Sequence, residues 1–246
     1  MFWSNFKKLH LIAGHRGNRQ YFPENTLIAF KNAKKCDFIE LDIQLTKDNE
    51  IVIIHDETPK RTSNFNTDKK ISQLTLKELK EHNFGEWFLE KDPYKTKKFL
   101  TSKNIKEIKK QTIPTLKEAL KVIKKPINIE IKSKEMDLEK LLFLIKGKEN
   151  KILISSFHHN HLKNIKKLNP GIYIAPLDEI KRENILEYIK EFNTKNYNIS
   201  KDIADKKYLK YLVKNNINVS VYTVNKKEKI KRYFKKGVKA VFRDYC

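Results

Sequence analysis

The chain has 246 residues, enough for one large domain with a substantial core, and 53 Lys+Arg against 30 Asp+Glu give a formal net charge of +23. Only Arg16, Arg19, Arg61, Arg182, Arg232 and Arg243 are arginine, and the lysines spread over most helical segments, so the charge reads as a solvated coat that steers anionic ligands and not as a specific nucleic-acid reader. No run approaches the ~18 apolar residues of a membrane span, the N-terminal MFWSNFKKLHLIAG lacks a continuous apolar core, and Cys36 and Cys246 lack metal-ligand spacing, so reduced cysteines, a cytoplasmic location and at most weak attraction to anionic membrane surfaces are expected.

Leu9 to Gly14 is a short apolar strand that ends at His15, Arg16 and Gly17. Pro23, Glu24, Asn25 and Thr26 open a helix through about Lys35, with Leu27, Ile28, Phe30 and Ala33 on its apolar face. Phe38 to Thr46 alternates: Ile39, Leu41, Ile43 and Leu45 lie on one side, Glu40, Asp42 and Gln44 on the other. A second strand-like run, Ile51 to Ile54, follows a group rich in turn formers. If Asp48 and Asn49 are the central residues of a two-residue hairpin, Asp42 faces His55 and Glu40 faces Glu57. Two acids and an imidazole then meet through strand geometry alone.

The stretch 57–112 is poor in strands and rich in charge. It holds a helix start at Ser72 to Thr75 before LKELKEH and an aromatic knot at Phe84, Trp87 and Phe88. A plain connection of that length is unusual, so it reads as a helical insertion, with the Lys-rich part from Lys91 to Lys110 as a solvated surface. Thr115 caps LKEALKVIKK, which Pro126 stops.

From there strands and helices alternate. The strands are Ile127–Ile131, Lys151–Ser155, Gly171–Ala175, Tyr197–Ile199, Asn218–Thr223 and Lys239–Phe242. The helices between them are Asp137–Lys146, His158–Leu168, Lys181–Phe192, Asp205–Asn215 and Lys226–Lys236. With Leu9–Gly14 and Phe38–Asp42 this makes eight strands, and the ribbon Ile51–Ile54 is extra. The pattern predicts an α/β fold, a (β/α)8 TIM barrel with a small helical insertion after the second strand, in one domain spanning 1–246.

Barrels of this kind carry their chemistry at the C-terminal ends of the strands. His15, Glu40, Asp42, Glu130 and Lys132 all fall on that rim. Taken singly, a histidine at a strand end is more often structural, and alternating acids often line a solvated face. Their convergence on one rim favours function. Three carboxylates there repel one another unless a cation holds them, and oxygen-only ligation suits Mg2+ or Ca2+. His15 and His55 can serve as base and acid, and Arg16 and Lys132 add positive charge for an anionic substrate, which together suggest metal-assisted cleavage of a phosphate ester.

HRG at 15–17, PENT at 23–26, ELD at 40–42, HDET at 55–58, Arg61-Thr62, LTLKEL at 74–79, FGEWF at 84–88, IPTLKEAL at 113–120, INIEIK at 127–132, ISSF at 154–157 and VYTVN at 221–225 resemble the glycerophosphodiester phosphodiesterase family over nearly the whole length. The resemblance implies the barrel and its insertion, and hydrolysis of a small-molecule glycerophosphodiester to sn-glycerol 3-phosphate and an alcohol. It implies His15 and His55 as the acid/base pair, Glu40, Asp42 and Glu130 as ligands of one divalent cation, Mg2+ or Ca2+, and Arg16 and Lys132 as phosphate contacts. Tyr222 stands where the family commonly has Trp, and implies an aromatic wall of altered shape beside the glycerol moiety. The family commonly ends its last strand with Thr-Asp before a Pro; here Arg243, Asp244, Tyr245 and Cys246 stand there, and Arg243 is placed to intrude into the pocket or touch phosphate. Left open are the head group, the oligomeric state, which histidine is base, and direct water attack against a cyclic phosphate. A lipid-acting phospholipase D or sphingomyelinase-type enzyme on a related barrel and a non-catalytic polyanion-binding barrel are the rival readings.

Overall fold

In the computed structural model, which describes residues 2–246, β1 (Leu11–Gly14) pairs in parallel with both β2 (Phe38–Leu45) and β9 (Ala240–Arg243), and this double pairing closes the sheet. The other barrel strands are β4 (Ile127–Ile131), β5 (Ile152–Ser156), β6 (Tyr173–Asp178), β7 (Asn196–Ser200) and β8 (Asn218–Tyr222), each parallel to its neighbours. The short β3 (Ile51–Ile53) is antiparallel to β2 and stands outside the ring. The eight parallel strands and their helices form the expected (β/α)8 barrel.

α1 (Leu27–Lys31) lies between β1 and β2. α2 (Leu76–Lys80), α3 (Glu86–Lys91) and α4 (Ser102–Ile108) form the helical insertion, and α5 (Leu116–Val122) returns the chain to the barrel. α6 (Leu138–Ile145), α7 (His159–Leu168), α8 (Ile185–Lys190), α9 (Lys206–Lys214) and α10 (Lys227–Lys235) connect the remaining strands. The repeated text Thr-Leu-Lys-Glu starts both α2 and α5. Thr75 with Glu78, and Thr115 with Glu118, form reciprocal capping boxes that satisfy the first amide groups of each helix. The inner side of the insertion is apolar, with Trp87, Phe88, Leu89 and Ile108 packed on Ile28 and Ala29 of α1, while most of its lysines remain exposed.

Strand alternation divides the barrel. Ile39, Leu41 and Ile43 of β2 face outward and pack with Ile129 of β4 and Leu116 and Ala119 of α5. Leu11, Ala13, Phe38, Leu153 and Phe242 fill the lower interior, where Phe2 plugs the N-terminal mouth and meets the Phe38 ring edge-on at 5.6 Å. Above them sits a polar layer in which Asn128 donates to Ser155 at 2.8 Å. The apolar plug and helix-facing shell stabilise the barrel, and the polar layer is the floor of the rim that follows.

Three expectations are corrected. The hairpin is one residue out of the expected register: Ile43 faces Ile53, and Ile54 N–H donates to the carbonyl of Asp42, so His55 is not opposite Asp42. The cause is a longer turn. Thr46 faces Glu50, its hydroxyl holds Asp48 at 2.6 Å, and Asn49 takes φ 60°, which Asn tolerates. β6 runs through Pro176 to Asp178, past the predicted end at Ala175, because pairing there passes from β5 to β7. Cys36 and Cys246 are joined in a disulfide. Barrel closure lays the segment after β9 beside residue 36, a proximity that the 210-residue sequence separation conceals, and the basis for expecting reduced cysteines is gone. Among the described residues no helix is long and apolar enough to cross a membrane.

Candidate active site

β2 and β4 are paired so that Asp42 lies beside Glu130, and Glu40 projects from the same side of β2 one step below. Carboxylate oxygens of Glu40, Asp42 and Glu130 lie within 4.8 Å of one another. Burial, then the charges of Asp42 and Glu130, push Glu40 well above the usual carboxylate range. Burial and Asp42 likewise raise Glu130. Burial also opposes the charge on Asp42, but Arg16, followed by His55 and Lys132, holds it below that range. One oxygen of Glu40 accepts the main-chain N–H of Arg16 at 2.7 Å, whereas Oε1 is buried with no hydrogen-bond partner among the described residues. An orphaned oxygen among crowded hard donors fits a divalent cation, which would satisfy the oxygen and relieve the repulsion.

Arg16 is folded tightly into this cluster. It has φ 53°, and its guanidinium reaches Glu24 at 2.7 Å and Asp42 at 3.2 Å. Gly17 takes φ 88°, and a Cβ there would lie 2.9 Å from the backbone of Ala29 in α1, so the HRG turn admits no side chain at its third position. Asn25 donates to Asp42 at 2.8 Å. Glu24 is a hub: Arg16, Arg19 and Arg61 all reach it, at 2.7, 2.8 and 2.7 Å. Burial would raise its pKa, yet Arg16, Arg61 and Arg19 overcome this and hold it far below the usual range.

Both histidines stand at this rim, and each has an aspartate on Nδ1. His15 Nδ1 lies 2.8 Å from Asp244 and His55 Nδ1 2.7 Å from Asp56. Burial, followed by Arg16, pushes His15 down to about 4. Gln44 fixes the His55 loop from below, its amide donating to the carbonyls of Ile54, His55 and Asp56. Arg61 clamps Asp56 with both Nε and Nη2. Lys132 pairs with Glu130 at 2.9 Å, and its ammonium also lies 5.5 Å from the Phe157 ring centroid. The rim therefore combines a cation-ready acidic triad, two imidazoles and a ring of fixed positive charge.

A family model described as the glycerophosphoryl diester phosphodiesterase family matches residues 15–246. The chain belongs to this family. It is 32% identical to the glycerophosphodiester phosphodiesterase of Caldanaerobacter subterraneus, over 95% of this chain and 93% of that protein. It is also 32% identical to that of Bacillus altitudinis, over 95% and 94%. The structure superposes with a TM-score of 0.84 on an Oleispira antarctica phosphodiesterase in complex with the product sn-glycerol-3-phosphate, at 26% identity over 96% of this chain and 93% of that one.

Set against the residues expected from sequence, the structure brings His15, Arg16, Glu40, Asp42, His55, Glu130 and Lys132 to one rim of the family barrel. Tyr222 lies at the end of β8, edge-on to Phe157 at 6.2 Å, and its hydroxyl is committed to the carbonyl of Asp178, to which it donates at 3.0 Å. Arg243 does not intrude. It faces outward at the end of β9 and stacks on Tyr245, 4.0 Å from the ring centroid, because Phe242 and Asp244 take the inward positions. Glu24, Asn25, Asp56 and Arg61 stand within the sequence motifs but carry no expected role in the site, although Asp56 adjoins His55 and Asn25 sits at the helix mouth opened by Pro23. Asp244 carried a weaker signal, since only barrel closure brings it to His15.

Proposed function

We propose that this chain hydrolyses glycerophosphodiesters to sn-glycerol 3-phosphate and an alcohol, acting as one barrel domain whose insertion at 57–112 contributes Arg61 to the rim. The observation that carries the reading is the acidic triad flanked by two aspartate-bound histidines in a member of this family. Glu40, Asp42 and Glu130 would hold one divalent cation, Mg2+ or Ca2+. When bound it would supply Lewis-acid polarisation of a phosphoryl oxygen.

The chain's own residues do the rest. Arg16 and Lys132 bind the phosphate, and the pairing of each with a rim carboxylate keeps it from swinging away. His15 is neutral at neutral pH, because its pKa is pushed down to about 4, so it takes the proton of the attacking hydroxyl. Donation to the leaving alkoxide oxygen then falls to His55. The Tyr222 ring borders the glycerol moiety.

The test is release of sn-glycerol 3-phosphate from glycerophosphocholine and glycerophosphoethanolamine with Mg2+, with Ca2+ and with chelator. Chelator-sensitive release supports the reading. No release with either cation sinks it and turns attention to intact lipid substrates.

A further inference from the structure

His15 is gripped by the last residues of the chain. Its Nδ1 lies 2.8 Å from Asp244 Oδ1, and an ionised carboxylate only accepts, so Nδ1 carries the proton and Nε2 is the unprotonated nitrogen of the neutral ring. Arg19 Nη1 also approaches Nδ1, at 3.3 Å, but a guanidinium cannot accept, and its charge is paired with Asp244 Oδ1 at 3.7 Å. Asp244 has little freedom. Its N–H donates to Asn225 Oδ1 at 2.9 Å, Asn225 Nδ2 donates back to Asp244 Oδ2 at 2.6 Å, and its carbonyl accepts Gln20 N–H at 2.7 Å.

Two residues further on, Cys246 is bonded to Cys36, and its N–H donates to Asn18 at 3.1 Å. The disulfide rests on the outer face of Gly14, the residue before His15. A Cβ at Gly14 would lie 2.8 Å from Cys246 Sγ, so only glycine leaves room for the bridge. Asp244 holds the imidazole from within the barrel while the bridge backs the same turn from outside.

We propose that Asp244 is a positioning residue for His15 and that the Cys36–Cys246 disulfide is the tether that keeps it in place, so that reduction of the bridge loosens His15 and slows turnover. The kinetic part rests on the proposed diesterase reaction; the positioning part does not. Reduction by a dithiol breaks the S–S bond with two electrons and two protons. Both cysteines become thiols, the dithiol leaves as its cyclic disulfide, and beyond β9 the segment carrying Asp244 is then held beside His15 by its hydrogen bonds, with no cross-link between Cys246 and Cys36.

The test uses the full chain in four forms: oxidised, reduced with dithiothreitol, Cys246→Ser and Asp244→Asn. Nitrogen–proton correlation spectra of the seven histidines report the tautomer of His15, assigned by the signal lost in His15→Gln. Release of sn-glycerol 3-phosphate gives kcat and KM. The oxidised protein is expected to show His15 fixed with the proton on Nδ1. Asp244→Asn presents an amide where Asn225 and His15 both need an acceptor, so it is expected to lose that signature and roughly 10²-fold or more in kcat, with KM little changed. Reduced protein and Cys246→Ser are expected to show mixed tautomers and a kcat lower by roughly 10-fold, within the range that a displacement on the order of 1 Å produces. A wild-type His15 signal and kcat in Asp244→Asn would overturn the positioning role. The same result in both reduced protein and Cys246→Ser would overturn the tether. If no form releases product, the diesterase reading fails, and the spectra alone decide the positioning role.

Discussion

The main-chain N–H of Arg16 donates to one carboxylate oxygen of Glu40 at 2.7 Å, and the other oxygen of Glu40 is buried without a hydrogen-bond partner among the described residues. Glu40 is thus half-satisfied by the protein and crowded by Asp42 and Glu130, an arrangement that costs stability in the absence of a cation. Glu40→Gln keeps an acceptor for Arg16 and removes the charge. Its expected signature is a split: turnover falls by more than the ~10²-fold typical of losing an outer partner of a metal site, while the chelated protein melts no lower than wild type. Mg2+ or Ca2+ is expected to raise the melting temperature of wild type and leave that of Glu40→Gln nearly unmoved. Thermal unfolding with and without chelator checks both, and an active Glu40→Gln protein would remove Glu40 from the cation site.

The environment of His15 sets a pH response. Burial, then Arg16, lowers its pKa from 6.5 to about 4 in the fold. The unfolded chain therefore binds the extra proton between those values, so stability is full above 6.5 and declines as pH falls toward 4, by about 3 kcal/mol at most. His15→Gln removes that contribution, and its unfolding free energy is expected to fall less than that of wild type between neutral pH and pH about 4. With His15 as the proposed base, kcat/KM is expected to hold through pH 6.5 and drop only as pH nears 4. An acid limb centred near 6.5 would show that His15 is not the base.

The fold was readable because its signals are local. The period-2 text of Phe38–Thr46 put Glu40 and Asp42 on one face, and regular alternation after Pro126 counted out the barrel, which by itself assigns a catalytic rim. What escaped depends on closure. Asp244 and Cys246 are more than two hundred residues from their partners His15 and Cys36, and only the β1–β9 pairing, with Gly14 beside Arg243, makes them neighbours. The hairpin slip arose from a different cause. Asp48 and Asn49 suit a two-residue turn, but the hydroxyl of Thr46 recruits both Asp48 and the Glu50 N–H and lengthens the turn by one residue. His55 still reaches the rim because Gln44 gathers the carbonyls of its loop, a side-chain device that strand periodicity does not encode.

Glu24 is the sole carboxylate contacted by all three of Arg16, Arg19 and Arg61 among the described residues, and its side chain is 3% exposed. Glu24→Gln leaves three guanidiniums around a neutral amide. Breaking a buried pair in this way typically costs roughly 3–5 kcal/mol, and Arg16, the proposed phosphate ligand, loses an anchor. Lower stability and a raised KM are expected together. Removing Arg61 in the same protein relieves part of the excess positive charge, so Arg61→Ala is expected to cost less in the Glu24→Gln background than in wild type. A double-mutant cycle by denaturant unfolding measures this, and strict additivity would show that the three arginines do not act through Glu24.

The barrel separates stability from chemistry along its axis. Phe2 is fully buried at the N-terminal mouth against Phe38, with Trp3 packed on it and donating to Asn196 at 2.7 Å, while the acidic triad lies at the opposite end above the Asn128 and Ser155 layer. Phe2→Ala empties a site packed against Phe38, Trp3 and Phe6, at the end of the barrel away from the acidic triad. A loss of roughly 3–5 kcal/mol is expected, equivalent to a melting temperature lower by about 10 °C for a chain of this length. Below that transition kcat and KM are expected to match wild type, because the strands from β2 and β4 that carry Glu40, Asp42 and Glu130 are held by their own ladder and by α5 and α6 on the outside. Parallel melting curves and steady-state kinetics check the two halves. Loss of kcat in a folded Phe2→Ala protein would mean that the plug sets the strand positions at the rim, and that the two ends of the barrel are mechanically coupled.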